Sequence, residues 1–107
     1  MAYVNRGLAY SKLGNNQQAI EDYNKAIELD PRYALAYVDR SSAYITSGNY
    51  QQALEDANKA IELDPKYALA YYYRGTIYAK LGKKDHAASD YDTAARLGYK
   101  VRKVRKK

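Results

Sequence analysis

The side chains able to do chemistry in this 107-residue chain are tyrosines, a scatter of carboxylates and one imidazole. His86, the only histidine, directly follows Asp85. A metal centre needs three or four converging ligands, and catalysis needs a nucleophile or a second acid–base group within reach. Neither is visible, so His86 reads as a surface residue near a helix start and Asp85 as that helix's N-cap. The chain has no cysteine, hence no thiolate metal site and no disulfide. Tyrosine is abundant, with 14 copies beside no tryptophan and no phenylalanine. Its ring supplies apolar area and its hydroxyl a polar end, which is the chemistry of packing and recognition. No enzymatic activity, cofactor or metal is expected.

Those tyrosines recur at a fixed interval. Tyr10, Tyr44 and Tyr78 are 34 residues apart, as are Gly14, Gly48 and Gly82, and Pro31 and Pro65. Units one and two agree at 24 of 34 aligned positions from Tyr3 to Ala36. Such a period means stacked supersecondary units, none able to bury its apolar face alone. Within the second unit Tyr37, Arg40, Ser41 and Tyr44 follow i, i+3, i+4, i+7 spacing and line one side of a helix. Ala53, Leu54, Ala57, Ala60 and Ile61 form the apolar stripe of a second, antiparallel helix. The glycine between them can take φ > 0 and close the turn, while Asp30-Pro31 and Asp64-Pro65 end the second helices. The pattern predicts six helices over 2–13, 17–29, 34–47, 51–63, 68–81 and 85–97.

In that register, Tyr37, Tyr44, Gly48, Ala53, Ala57, Ala60 and Pro65 fall where the tetratricopeptide pattern has its aromatic, Tyr, Gly, small, aromatic, small and Pro positions. Matches recur at Tyr3, Gly7, Tyr10, Ala19, Tyr23, Ala26 and Pro31, and at Tyr71, Gly75, Tyr78, Ala87, Tyr91 and Ala94. Over 2–99 the chain resembles the tetratricopeptide repeat family, with two departures. Ala57 replaces an aromatic, and Tyr99 stands where a third Pro belongs, as if the array ends there. The resemblance implies an all-α protein, an α-solenoid of three helix-turn-helix repeats (about 1–33, 34–67 and 68–99) wound as a right-handed superhelix. It also implies a non-catalytic scaffold whose first helices line a concave groove for a peptide or protein segment.

The stripe of each first helix turned from its partner gives the expected groove: Val4, Asn5 and Leu8, then Val38, Asp39 and Ser42, then Leu69, Tyr72, Tyr73 and Thr76. Tyr72 and Tyr73 are the expected anchors, with Asn5 and Asp39 offering hydrogen bonds to a bound backbone. The plainer alternative is that these residues pack against the next first helix. Chaperone-binding members of the family grip a peptide's terminal carboxylate with Lys and Asn in unit one, Asn in unit two, and Lys and Arg in unit three. The matching positions here hold Val4, Leu8, Asp39, Leu69 and Tyr73. None of the five agrees and Asp39 repels a carboxylate, so binding to acidic chaperone tails is not expected.

The formal charge of +6 is local: Lys100, Arg102, Lys103, Arg105, Lys106 and Lys107 carry six of the 18 basic residues, leaving 12 against 12 acidic residues in 1–99. The segment 100–107 reads either as a short capping helix, with Val101 and Val104 turned onto the last repeat, or as a basic arm for nucleic acid or an anionic surface. Two further alternatives stand beside the scaffold: self-association through near-identical repeat ends, and a consensus-like or engineered module without a specific ligand. No apolar run is long enough for a transmembrane span and no signal peptide is recognisable, which with the absence of cysteine favours a cytoplasmic location. Met1 lies close to the first helix with no cap before it, as in a fragment of a longer chain.

Overall fold

The computed structural model describes residues 2–99. The expectations for Met1 and for Lys100–Lys107 lie outside the described residues. Six helices follow one another: α1 (Ala2–Lys12), α2 (Asn16–Leu29), α3 (Ala34–Thr46), α4 (Tyr50–Leu63), α5 (Ala68–Lys80) and α6 (Lys84–Arg96). There is no strand among the described residues. Each boundary agrees with the sequence reading to within one residue.

The turns inside each pair have one chemistry. Gly14, Gly48 and Gly82 all sit at φ near +82°, a conformation closed to most residues with a Cβ. At the first turn the Gly14 N–H donates to the Ser11 carbonyl at 3.0 Å and the Asn15 N–H to the Tyr10 carbonyl at 2.8 Å. These two bonds satisfy the carbonyls left open at the end of α1 and reverse the chain. The same pair recurs at Gly48–Asn49 and Gly82–Lys83. Between units, Asp30 and Asp64 take extended backbone before proline and stop α2 and α4. Their carboxylates then accept the N–H of Arg32 and Lys66. One expectation fails here: the residue preceding α6 is Lys83, and Asp85 lies in the first turn, where a carboxylate complements the exposed N–H groups without capping them.

Small residues allow the helices of a pair to meet. Ala19, Ala53, Ala57, Ala60 and Ala94 are fully buried, so backbones rather than side chains set the spacing. The pairs are tied by a bidentate ion pair at a constant offset. Arg6 reaches Asp22, Arg40 reaches Asp56 and Arg74 reaches Asp90, with N–O distances of 2.8–2.9 Å. Arg40 and Arg74 also donate back to Asn24 and Asn58 of the preceding unit, at 2.7 and 3.0 Å. Each of these two guanidiniums therefore joins three helices and lies over two tyrosines, Tyr37 and Tyr44 for Arg40, Tyr71 and Tyr78 for Arg74. Tyr37 and Tyr71 in turn donate to the carbonyls of Pro31 and Pro65, both at 2.9 Å, fixing each linker to the next first helix.

Candidate functional site

Neighbouring first helices touch: α1 meets α3, and α3 meets α5, whereas α2, α4 and α6 do not contact one another. The array is therefore curved, with the first helices on its inner side. On α3 the arc facing inward is what its packed neighbours α1, α2, α4 and α5 leave over. Ala36 and Ala43 are buried with residues of α2, Ser41 donates to the Ala53 carbonyl of α4, and Val38 packs with Ala60 of α4 and Ala70 of α5. Leu35, Asp39, Ser42 and Thr46 remain.

Matching positions on the three first helices form rows across this concave face. Asn5, Asp39 and Tyr73 make one row and Leu8, Ser42 and Thr76 another; Leu35 and Leu69 lie toward the helix starts, and Lys12, Thr46 and Lys80 toward the ends. Of the residues expected in the groove, Asn5 and Leu8 are exposed, and Ser42, Leu69, Tyr73 and Thr76 are half-buried. Val4 and Val38 are corrections. Their exposures of 1% and 0% place them in the core, Val4 with Ala26 and Ala36 and Val38 with Tyr37, Ala60 and Ala70. A helix packed against its partner and against neighbouring first helices keeps a narrower free arc than a helix with one neighbour, and the valines fall outside it.

Tyr72 occupies the same register as those valines and behaves differently. Its ring lies 5.4 Å from that of Tyr91 and 4.8 Å from that of Tyr99, with Tyr73 at 6.0 Å. The residue that replaces the third proline thus closes an aromatic cluster over the last pair. Tyr91 was not among the expected groove residues, nor was Tyr23. Both come from second helices and pass under glycines: an added Cβ on Gly7 would meet the Tyr23 ring at 2.6 Å, and one on Gly75 the Tyr91 ring at 2.9 Å. Beyond that gap the Tyr91 hydroxyl meets Thr76 Oγ1 at 3.1 Å. The sequence signal is the spacing of 16, where Gly7–Tyr23 and Gly75–Tyr91 alternate with Ser41–Ala57.

Asp39 is the centre of the face and its electrostatic exception. Only 9% of it is exposed and its Oδ2 has no hydrogen-bond partner. Loss of water pushes its pKa up to about 6. The carboxylate in turn helps burial raise the hydroxyls of Tyr23, Tyr67 and Tyr73, Tyr67 to about 12. His86 is exposed, its ring 5.0 Å from that of Tyr78. Among the described residues no group of acidic or histidine side chains is arranged to hold a metal ion. No helix among them is long and apolar enough to cross a membrane.

A curved stack of helix pairs with a polar and aromatic inner face defines a helical-repeat binding module. Models of the tetratricopeptide repeat match residues 1–33, 22–55 and 68–97, and a TPR repeat model matches 42–82. The chain is similar to the second TPR domain of Spaghetti (RPAP3) bound to HSP90 peptide SRMEEVD, at 35% identity and a TM-score of 0.86 over 90% of this chain and 89% of that one. It is likewise similar to the second TPR domain of human RPAP3 in complex with HSP70 peptide SGPTIEEVD (35%, 0.83, 90% and 80%) and to the Arabidopsis OM64 TPR domain (32%, 0.88, 91% and 80%). This chain belongs to the tetratricopeptide repeat family. Comparison with curated proteins gave no match.

Proposed function

We propose that the chain is a non-catalytic scaffold that receives a peptide or protein segment along the concave face of α1, α3 and α5. The observation that carries this reading is the inner face itself, where Asn5, Asp39 and Tyr73 line up across three helices. The peptides bound by the similar RPAP3 domains support it. The same face argues against their particular ligand. Both peptides end in Glu-Glu-Val-Asp, whereas the inner face carries a buried carboxylate at its centre and lysines only at the ends of α1 and α5. Titration calorimetry with SRMEEVD is expected to show no saturable heat at about 100 μM peptide; micromolar binding would overturn this part. For the groove, random peptides enriched on the protein should lose about tenfold or more in affinity on Ser42→Arg and keep it on Glu62→Arg, which lies on α4. Retention of affinity in Ser42→Arg would remove the concave face as the site.

A second reading, end-to-end association of copies, is favoured by one observation. Arg6 is 60% exposed, against 21% for Arg40 and 24% for Arg74, because no unit in the structure supplies it an Asn24 or Asn58. At the other end Asp92 stands at that register. Beside Arg6, Ala2 and Tyr3 line an apolar pocket with Ala26 and Leu29. Light scattering over a concentration series tests it: association that weakens in Arg6→Ala supports stacking, and a monomer throughout rejects it.

A further inference from the structure

We propose that Asp39 accepts a lysine or arginine side chain of the bound segment, so that this groove selects a basic peptide. The proposal deepens the reading of the concave face as a peptide groove and rests on it. Four carboxylates are buried among the described residues: Asp22, Asp39, Asp56 and Asp90. Three of them hold an arginine in a two-pronged contact, Arg6, Arg40 and Arg74 respectively. Asp39 alone pairs with no cation among the described residues, and its Oδ2 is sealed from water without a hydrogen bond. Arg40 is next to it in sequence but projects about 100° further round α3 and is spent on Asp56 and Asn24. A buried carboxylate lacking a partner is costly to a fold, and the cost is removed by a cation that brings its own charge.

The surroundings fit such a cation. Tyr23, Tyr67 and Tyr73 lie close enough to the carboxylate to feel its charge, and aromatic rings are favourable neighbours for guanidinium and ammonium groups. This chain already uses that combination, since Arg40 and Arg74 each join a carboxylate and two tyrosine rings. The row neighbours of Asp39 are Asn5 and Tyr73, and the next row supplies Ser42, so nothing nearby on the inner face competes as a cation. Oδ2 is closed even to water, so a cation meets the carboxylate only at the 9% of Asp39 that stays open, which takes a charged head on a long stem. Lysine and arginine have that shape, whereas a peptide's terminal amine does not.

The test uses the full chain and Asp39→Asn, with the fold of the variant checked by circular dichroism. Methylguanidinium and its neutral analogue methylurea are titrated while amide chemical shifts are followed. Separately, a short alanine–serine host peptide with one central arginine is compared with its citrulline twin by fluorescence anisotropy. The expected result is a saturable change at Asp39, Ser42 and Tyr73 with methylguanidinium only, lost in Asp39→Asn. The arginine peptide should bind about tenfold tighter than the citrulline peptide, and Asp39→Asn should erase the difference. Methylguanidinium shifts no larger around Asp39 than around exposed Glu28 and Glu62 overturn the proposal, as does equal binding of two peptides that both bind. If neither peptide binds either protein, the methylguanidinium titration alone decides the cation site, and the absence of a saturable shift there overturns it. A wild-type site indifferent to methylguanidinium, with Asp39→Asn instead shifting amides of 100–107, overturns the partner reading in favour of this chain's own basic segment.

Discussion

The ring of Tyr23 fills the space a side chain on residue 7 would need, its Cε1 2.6 Å from where that Cβ would stand. Tyr23 is fully buried and cannot give way. Gly75 and Tyr91 repeat the arrangement, while the middle unit solves the same packing problem with Ser41 and Ala57. Volume is therefore shared between positions 16 apart. Gly7→Ala should destabilise by about 1–3 kcal/mol in urea denaturation, the cost of overpacking. Ala57→Tyr should be destabilising alone and much less so with Ser41→Gly, a coupling of about 1 kcal/mol or more in a double-mutant cycle. Additive effects would show that the two positions do not share space.

The turn glycines are held by conformation instead. An added Cβ on Gly48 meets nothing within 4 Å, yet φ is +82°. Gly48→Ala should then cost about 1 kcal/mol, nearly all of it backbone strain. Gly48→Asn should cost less, since asparagine tolerates that region. Thermal denaturation of the two variants orders them.

Exposure separates the three arginine–aspartate ties. Asp56→Ala strips the partner from a largely enclosed Arg40 and should cost about 3 kcal/mol. Arg6→Ala removes an arginine open to water and should matter less, with its effect shrinking further in 1 M salt. Urea midpoints at low and high salt read both.

Asp39 gives stability an unusual pH dependence. Its folded pKa, about 6, lies above the ordinary carboxylate value, so the folded state binds the proton more tightly than the unfolded chain. Ionisation of the buried group therefore costs stability above pH 6, and protonation relieves that cost as pH falls from about 7 toward 4. Tyr23, Tyr67 and Tyr73, the titratable neighbours, are all shifted upward and stay neutral over this range. Asp39→Asn should be more stable than wild type at pH 7.5 by on the order of 2 kcal/mol, and the gap should shrink to less than half by about pH 4.5 and close only below the ordinary carboxylate pKa, near about pH 3.5. A gap independent of pH would mean that the carboxylate is not the cause.

The helices and turns were legible because they depend on neighbours in sequence. The 34-residue period, the glycines at 14, 48 and 82 and the prolines at 31 and 65 give every helix boundary to within one residue. The inner face was legible only in part. Periodicity puts Val4 and Val38 on the expected groove stripe, but does not show that the partner helix and the next first helix together cover them, Val4 with Ala26 and Ala36 and Val38 with Ala60 and Ala70. Nor does it show that Tyr23 and Tyr91 pass beneath glycines 16 residues earlier. The charge state of Asp39 was invisible too, since the spacing does not show that Arg40, its sequence neighbour, is committed to Asp56.

The arginine contacts bear on how such a protein changes length. Every tie is specified by an offset of 16 in one direction or the other, so a duplicated 34-residue unit arrives carrying both halves of its own connection and the socket for the next. Whole units can be added or removed without rewiring the junctions that remain. A single residue inserted within α4 ahead of Asp56 would turn the carboxylate about 100° around the helix and break the chain of ties at that point. Growth by duplication is open to this architecture in steps of one size.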